Sequence, residues 1–240
     1  MKIRLDQAVV KKGLVSTRSQ AETYIKLGKV KVDNKVITKP GFLVSAQAAI
    51  KLTTTEQYVS RAGLKLASIA RQFKVDFRNK TVLDVGSSTG GFTDYALQHG
   101  AKKSIAVDVG TNQLHPMLRT DPRVELHEQT DIRDFVTDQQ IDIVVIDVSF
   151  ISLRQILPSV AKLSNNNTDI LAMVKPQFEA VAENMKHKGV IKNDRMRRDI
   201  LKHFETWASK RFVIVNKADS AVAGEKGNLE RFYHLRIVKP

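Results

Sequence analysis

The chain has 240 residues and 42% hydrophobic residues, enough to bury an ordinary core without covalent staples and too much for a disordered chain. Its 39 Lys+Arg outnumber 25 Asp+Glu, for a formal net charge of +14; a chain this basic meets a polyanion, with nucleic acid first and an anionic membrane surface second. Cysteine is absent, which excludes disulfides, thiolate metal sites and a cysteine nucleophile, and no stretch approaches the ~20 apolar residues of a membrane span.

The opening MKIRLDQAVVKK lacks the apolar run of a signal peptide, so a cytoplasmic location is expected. Residues 1–52 read as one small, very basic unit. Leu5, Ala8 and Val9 share a helical face that Gly13 breaks. Ser16 or Thr17 can cap a second helix that runs to Leu27 and stops at Gly28. KVKVDNKVITKP then alternates apolar and basic residues around an Asp33-Asn34 turn, which predicts a hairpin. Pro40-Gly41 is a second turn and residues 49–52 a short strand. Residues 53–58 read as a linker, and 59–240 as the larger domain.

In that larger part, Leu64, Leu66, Ala67 and Ala70 have helical spacing. Apolar runs predict strands at 81–86, 103–110, 124–129, 141–148, 168–176, 211–220 and 231–238. Helices are expected after the first run and over SLRQILPSVAKL despite Pro158. Strands alternating with helices predict an α/β fold: a mostly parallel seven-stranded sheet with helices on both faces. The charge is uneven. Residues 1–59 hold 11 basic and 4 acidic side chains, net +7, whereas residues 79–150 hold 6 and 11, net −5. Residues 60–78 (5 and 1) and 151–240 (17 and 9) are basic again, net +4 and +8. An acidic middle between basic flanks suggests two ligands of opposite charge.

The acidic middle carries the first candidate site. Asp84-Val85-Gly86-Ser87-Ser88-Thr89-Gly90-Gly91-Phe92 is a glycine-rich turn between a strand and its helix, where backbone N–H groups can approach a ligand closely. The spacing matches neither the dinucleotide fingerprint nor a phosphate-binding P-loop. Asp84 leads the turn and suits a cationic amino-acid group. Asp108 ends the next strand, placed for both hydroxyls of a ribose, and Asp131 follows the third, within reach of an adenine amino group. Singly, each is as readily a tight turn or a solvated strand end; in order on successive strands they favour a ligand. This order resembles Rossmann-like S-adenosylmethionine-dependent methyltransferases, with Asp84, Gly86, Ser87, Gly90, Gly91, Phe92, Asp108 and Asp131 as candidate cofactor residues.

Asp147 ends the fourth strand in IDVSF. The D/N-P-P-aromatic motif that grips an exocyclic amine in base methyltransferases is missing there, and the missing cysteine removes C5-pyrimidine chemistry; both absences push the acceptor toward a hydroxyl. Lys65 in SRAGLKL, Asp147, Lys175 in MVKPQFE and Glu230 in KGNLERF resemble the Lys-Asp-Lys-Glu tetrad of FtsJ-type ribose 2′-O-methyltransferases. A ribose hydroxyl is a weak acid and must lose its proton as it attacks; a lysine can take that proton where burial and a neighbouring cation favour its neutral form. Lys175 is the candidate base and Lys65 the neighbouring cation, with Asp147 and Glu230 holding the two lysines. An isolated lysine is ordinarily a solvated cation, but Lys175 ends an apolar strand and precedes Pro176.

The run RLDQAVVKKGLVSTRSQAETYIKLGKVKVDNKVITKPG resembles the S4 RNA-binding domain, which implies Arg4, Arg18, Lys26, Lys29 and Lys31 as backbone contacts that position RNA without reading bases. A second basic run, Lys186 to Arg198, flanks the acceptor side or is one face of a solvated helix. His115, His127, His187 and His203 show no ligand spacing, so no metal is expected. An S4-like unit joined to an FtsJ-like methyltransferase is the arrangement of the TlyA/hemolysin A family, and YVSRAGLKL, DVGSSTGGFTD, DVSFISL, VKPQFE and KGNLERF are similar to that family's motifs. The resemblance covers essentially the whole chain. It implies S-adenosylmethionine as cofactor, ribosomal RNA or ribosomal subunits as partner, and cytidine 2′-O-methylation as activity. Two other readings stay open: a non-catalytic RNA-binding assembly factor that keeps the cofactor fold, and a membrane-active haemolysin, against which the lack of an amphipathic or spanning segment weighs.

Overall fold

The computed structural model describes residues 2–54, 57–182, 189–224 and 227–238. The chain forms two compact units, Met1–Arg61 and Ala62–Pro240. The division falls just beyond the stretch read as a linker, of which Thr55 and Glu56 lie outside the described residues.

In the first unit β1 (Lys2–Arg4) leads directly into α1 (Leu5–Lys11), followed by α2 (Arg18–Lys26). Thr17, not Ser16, caps α2: its hydroxyl accepts from Gln20 N–H, and the Gln20 side chain accepts from Thr17 N–H in return. Gly28, at φ +69, sits where the helix must stop. Strands β2 (Val30–Val32) and β3 (Lys35–Val36) form the expected hairpin. Asp33 and Asn34 take the two left-handed positions of its turn, at φ 48 and 65. β5 (Ile50–Leu52) pairs with the other edge of β2. A second small sheet, β1 with β4 (Leu43–Ser45), was not anticipated. Leu5, Val9, Ala21, Tyr24, Ile25 and Val30 make the buried centre of this unit.

The second unit opens with α3 (Arg61–Phe73), then β6 (Thr81–Val85), α4 (Gly91–Gln98), β7 (Lys103–Val107), the single turn α5 (Pro116–Arg119) and β8 (Val124–His127). It continues through β9 (Ile143–Ile146), α6 (Leu153–Leu163), β10 (Asp169–Val174), α7 (Pro176–Ala182), α8 (Asp194–Ala208), β11 (Phe212–Asp219) and β12 (Arg231–Ile237). All seven expected strands form one sheet, in the order β11-β12-β10-β9-β6-β7-β8. The five from β10 to β8 are parallel, and β12 runs antiparallel to both β10 and β11. The central strands are apolar on both faces, as a sheet covered on both sides requires. Helix α6 tolerates Pro158 because Leu153, Ile156, Leu157 and Val160 bury a continuous apolar stripe in the core. Helix α7 was not read from the sequence; α8 begins within the basic run for which one face of a solvated helix was one of the two readings.

Strand register decides where the chemistry collects. Val174 of β10 faces Arg231 of β12, and Ala172 of β10 faces Ile146 of β9. The chain therefore leaves β9 and β10, and enters β12, at the same end of the sheet. That end also receives the turn after β6. In open parallel sheets this carboxyl edge is where ligands bind.

Candidate active site

A cavity of about 390 Å³ opens at this edge. Gly86, Ser88, Asp108, Asp131, Asp147 and Ser149 are among its polar or backbone lining, with Val107, Ile132, Val148 and Ile156 among its apolar walls. Gly86 sits at φ +79, and a Cβ there would stand 2.9 Å from the Asp147 carbonyl oxygen, so the turn closes only with glycine. Gly90, at φ +91, caps α4; a Cβ on it would collide with Leu118 and Leu114. Gly91 and Phe92 are buried, and Phe92 packs against Phe232 at 6.0 Å between ring centroids. Of the glycine-turn residues, then, Val85, Gly86 and Ser88 border the cavity, whereas Gly90, Gly91 and Phe92 secure the helix behind it.

Asp84 is buried one residue before the end of β6. Its Oδ2 accepts from Thr93 N–H (2.9 Å) and the Thr93 hydroxyl (2.7 Å), tying the strand to the first turn of α4. Burial pushes its carboxyl up to about 7; the Thr93 bonds oppose the shift, and Asp147 and Asp108 add to it. Asp84 Oδ1 and Ser87 Oγ are buried with no protein hydrogen-bond partner. Asp108 accepts from Ser88 N–H (2.8 Å) and Gly110 N–H (2.7 Å), which leaves lone pairs on both oxygens. Asp131 is engaged by its neighbour Arg133 through Nε (3.0 Å) and Nη2 (2.6 Å), which holds its carboxyl below the usual range. Gln113, missed in the sequence, also lines the cavity and accepts from the Ser88 hydroxyl. Two orphaned buried polar atoms, an acidic lining and apolar walls fit a cationic, amino-acid-bearing nucleoside.

Two ion pairs stand at this edge of the sheet. Lys175 Nζ lies 2.6 Å from Asp147 Oδ1 and donates to the Ser149 hydroxyl at 2.8 Å. Lys65 Nζ, on α3, lies 2.6 Å from Glu230 Oε2, with both side chains nearly buried. Asp147 and Lys175 directly follow β9 and β10, Glu230 directly precedes β12 and Lys65 is on α3; the structure joins them as Lys–Asp and Lys–Glu. Phe150, at φ +67, is 90% exposed on the cavity wall, with its ring 5.3 Å from that of Phe178. Sequence reading passed over Ser149 and Phe150, although both stand in the quoted DVSF motif.

Arg197 departs from the expectation of a basic run facing RNA or solvent. It is 8% exposed, donates Nε to the Leu229 carbonyl (3.0 Å) and pairs through Nη2 with Asp219, which Arg231 also holds. It braces the segment that delivers Glu230. Lys192, Arg195 and Arg198 are exposed; Lys186, His187 and Lys188 lie outside the described residues.

In the first unit, Arg4 and Arg18 converge on the fully buried Asp6: Arg4 through Nε (3.0 Å) and Nη2 (2.8 Å), Arg18 through Nε (2.9 Å). These bonds, Arg4's first, hold the Asp6 carboxyl down at about 2. Lys26 and Lys29 are exposed and Lys31 half-buried. Among the described residues no cluster of three or more His, Asp or Glu side chains could hold a metal ion, and no helix is long and apolar enough to cross a membrane.

A seven-stranded sheet with this crossover order and this carboxyl-edge cavity defines a Rossmann-like methyltransferase. The chain belongs to the TlyA/hemolysin A family: residues 58–237 match the FtsJ-like methyltransferase model and residues 3–50 the S4 domain model. Among its relatives are Hemolysin A of Brachyspira hyodysenteriae, 38% identical over 98% of this chain and 100% of that protein, and the 16S/23S rRNA (cytidine-2′-O)-methyltransferase TlyA of Mycobacterium tuberculosis, 36% identical over 97% and 89%. A solved structure from Streptococcus thermophilus, 37% identical, superposes with a TM-score of 0.72 over 99% of this chain and 89% of that one.

Proposed function

We propose that this chain methylates a ribose 2′-hydroxyl of ribosomal RNA, with S-adenosylmethionine as cofactor and cytidine as the acceptor nucleotide. The observation that carries the reading is the position of Lys175: its amine touches Asp147 and Ser149, two residues of the cavity wall. An amine there meets a hydroxyl presented at the cavity mouth. The name of the M. tuberculosis relative supports ribose and cytidine.

S-adenosylmethionine, when bound, supplies an electrophilic methyl group on a cationic sulfur. Asp108 would accept the cofactor's ribose hydroxyls and Asp131 its adenine amine, and Asp84 Oδ1 and Ser87 Oγ, buried without a partner, would serve its amino-acid end. Lys175 Nζ, once it has given up its own proton to solvent, takes the proton from the RNA 2′-hydroxyl and leaves the oxygen as nucleophile. Asp147 keeps that amine in place. Lys65, held by Glu230, sets a positive charge beside the acceptor. The exposed ring of Phe150 offers a stacking face for a base drawn out of its helix. The S4 unit grips RNA backbone through Arg4, Arg18, Lys26, Lys29 and Lys31.

The test is transfer of labelled methyl groups to ribosomal subunits, with the modified ribose mapped by mass spectrometry. Lys175→Ala should abolish transfer, a loss of at least about 100-fold for a general base, while cofactor affinity by calorimetry stays near wild type. Full activity of that variant on a verified substrate would remove Lys175 as the base. Cofactor binding with no transfer to any ribosomal particle would favour a non-catalytic assembly factor.

A further inference from the structure

We propose that Glu179 is a positioning residue for the Lys175–Asp147 pair. The inference rests on the reading of Lys175 as the base, and it assigns the base's placement to a side chain outside the cavity.

Glu179 is 1% exposed, four residues after Lys175, on α7. Its backbone N–H bonds the Lys175 carbonyl at 3.3 Å, as does Phe178 N–H at 2.9 Å. Lys175 is therefore fixed at the threshold of α7. The Glu179 carboxylate reaches across to the loop that leaves β9. Oε2 accepts from the Ser152 hydroxyl at 2.6 Å, and Oε1 accepts from Leu153 N–H at 2.8 Å. Ser152 is itself the cap of α6, accepting from Arg154 N–H. The Arg154 guanidinium lies 3.5 Å away from the same carboxylate.

A buried carboxylate at the start of an eleven-residue helix meets unsatisfied N–H groups and the positive end of the helix dipole. It is well satisfied there, and the contact is stiff. Its consequence lies elsewhere. The loop it clamps is the one that presents Asp147, Ser149 and the left-handed Phe150. The helix it belongs to is the one that presents Lys175. Glu179 thus links the two segments whose tips form the 2.6 Å ion pair, and it fixes their separation from behind. A plain structural cap would hold α6 without regard to Lys175; this one is carried on the lysine's own turn.

Two variants test the proposal in the full chain. Glu179→Gln keeps the size and one acceptor but removes the charge; Ser152→Ala removes the hydroxyl bond to Glu179 together with the α6 cap. We expect folded proteins with KM values for cofactor and ribosomal substrate within about twofold of wild type and kcat reduced about tenfold in Glu179→Gln and less in Ser152→Ala, the pattern of a misplaced reacting group. Crystal structures of both should show Lys175 Nζ drawn away from Asp147 Oδ1. A folded Glu179→Gln protein with wild-type kcat, or with the 2.6 Å pair intact in its crystal structure, overturns the assignment. If wild-type protein transfers no methyl group, the functional reading fails, and the distance in the variant structures still decides whether Glu179 places Lys175.

Discussion

Asp84 and Asp6 are both buried carboxylates, and their environments push them in opposite directions. Asp84, in the second unit, is raised by burial to about 7. Its native form holds a proton that the unfolded chain has lost, so its contribution to stability is largest at acid pH and declines as pH rises from about 4 to about 7. Asp6, held by Arg4 and Arg18 at about 2, contributes above about pH 4 and loses that contribution as pH falls toward 2. Melting curves over pH 3–8 should therefore show a shallower decline toward neutrality in Asp84→Asn than in wild type. Asp6→Asn should melt lower than wild type at pH 7 and converge with it near pH 2. Gly224 makes a second test at this scale. A Cβ there would collide with the Glu230 carboxylate, so Gly224→Ala should separate Glu230 from Lys65. Methyl transfer should fall by about tenfold or more, with cofactor affinity unchanged; unchanged transfer would mean that the Lys65–Glu230 contact is dispensable. Residue types were readable from sequence where a strand end named them, as at Asp108, Asp147 and Lys175. Thr93 as the partner of Asp84, and Arg197 as a buried brace, were not, because each depends on a neighbour that only the fold supplies.

Elements with strong local signals were legible. The β-branched runs of β6, β9 and β10 read as strands because both of their faces are buried. The start of α2 was readable at Ser16 or Thr17, but the reciprocal bond from Gln20 that selects Thr17 was not. Thr17→Ala should cost about 1 kcal/mol in chemical denaturation of the first unit's transition, and Thr17→Ser much less. β1 and β4 stayed hidden: each has three residues, too few for an alternation, and each finds its partner some forty positions away. α7 stayed hidden behind the strand reading that ran through to Pro176, and the charge at the start of α8 concealed its buried face. Arg195, Arg197 and Arg198 suggest a solvated face, while Ile200, Leu201 and Phe204 bury the other.

At the scale of the molecule, the uneven charge supports the proposed division of labour between the two units. Removing a lysine that touches only phosphate weakens binding equally for all sequences and lowers the salt dependence by about one unit of log K against log[salt]. Lys29→Ala, on an exposed position of the first unit, should reduce affinity for ribosomal RNA in that way and leave cofactor affinity untouched. A change in cofactor affinity with RNA affinity unaltered would reject the division. The two-part organisation was legible because composition shifts along the chain; how Glu230 comes to meet Lys65 was not, since that depends on strand order.

That strand order has a consequence for synthesis. The last strand of the sheet, β12, does not join an edge but lies between β10 and β11. A ribosome making this chain must hold β10 with one open ladder until residues 231–237 emerge, and an open ladder is the part of a sheet that pairs with the wrong neighbour. Glu230 arrives with that same strand, so the last of the four paired residues is delivered by the event that closes the sheet. A nascent chain short of β12 should therefore be prone to aggregate and, on the proposed role of Glu230, inert.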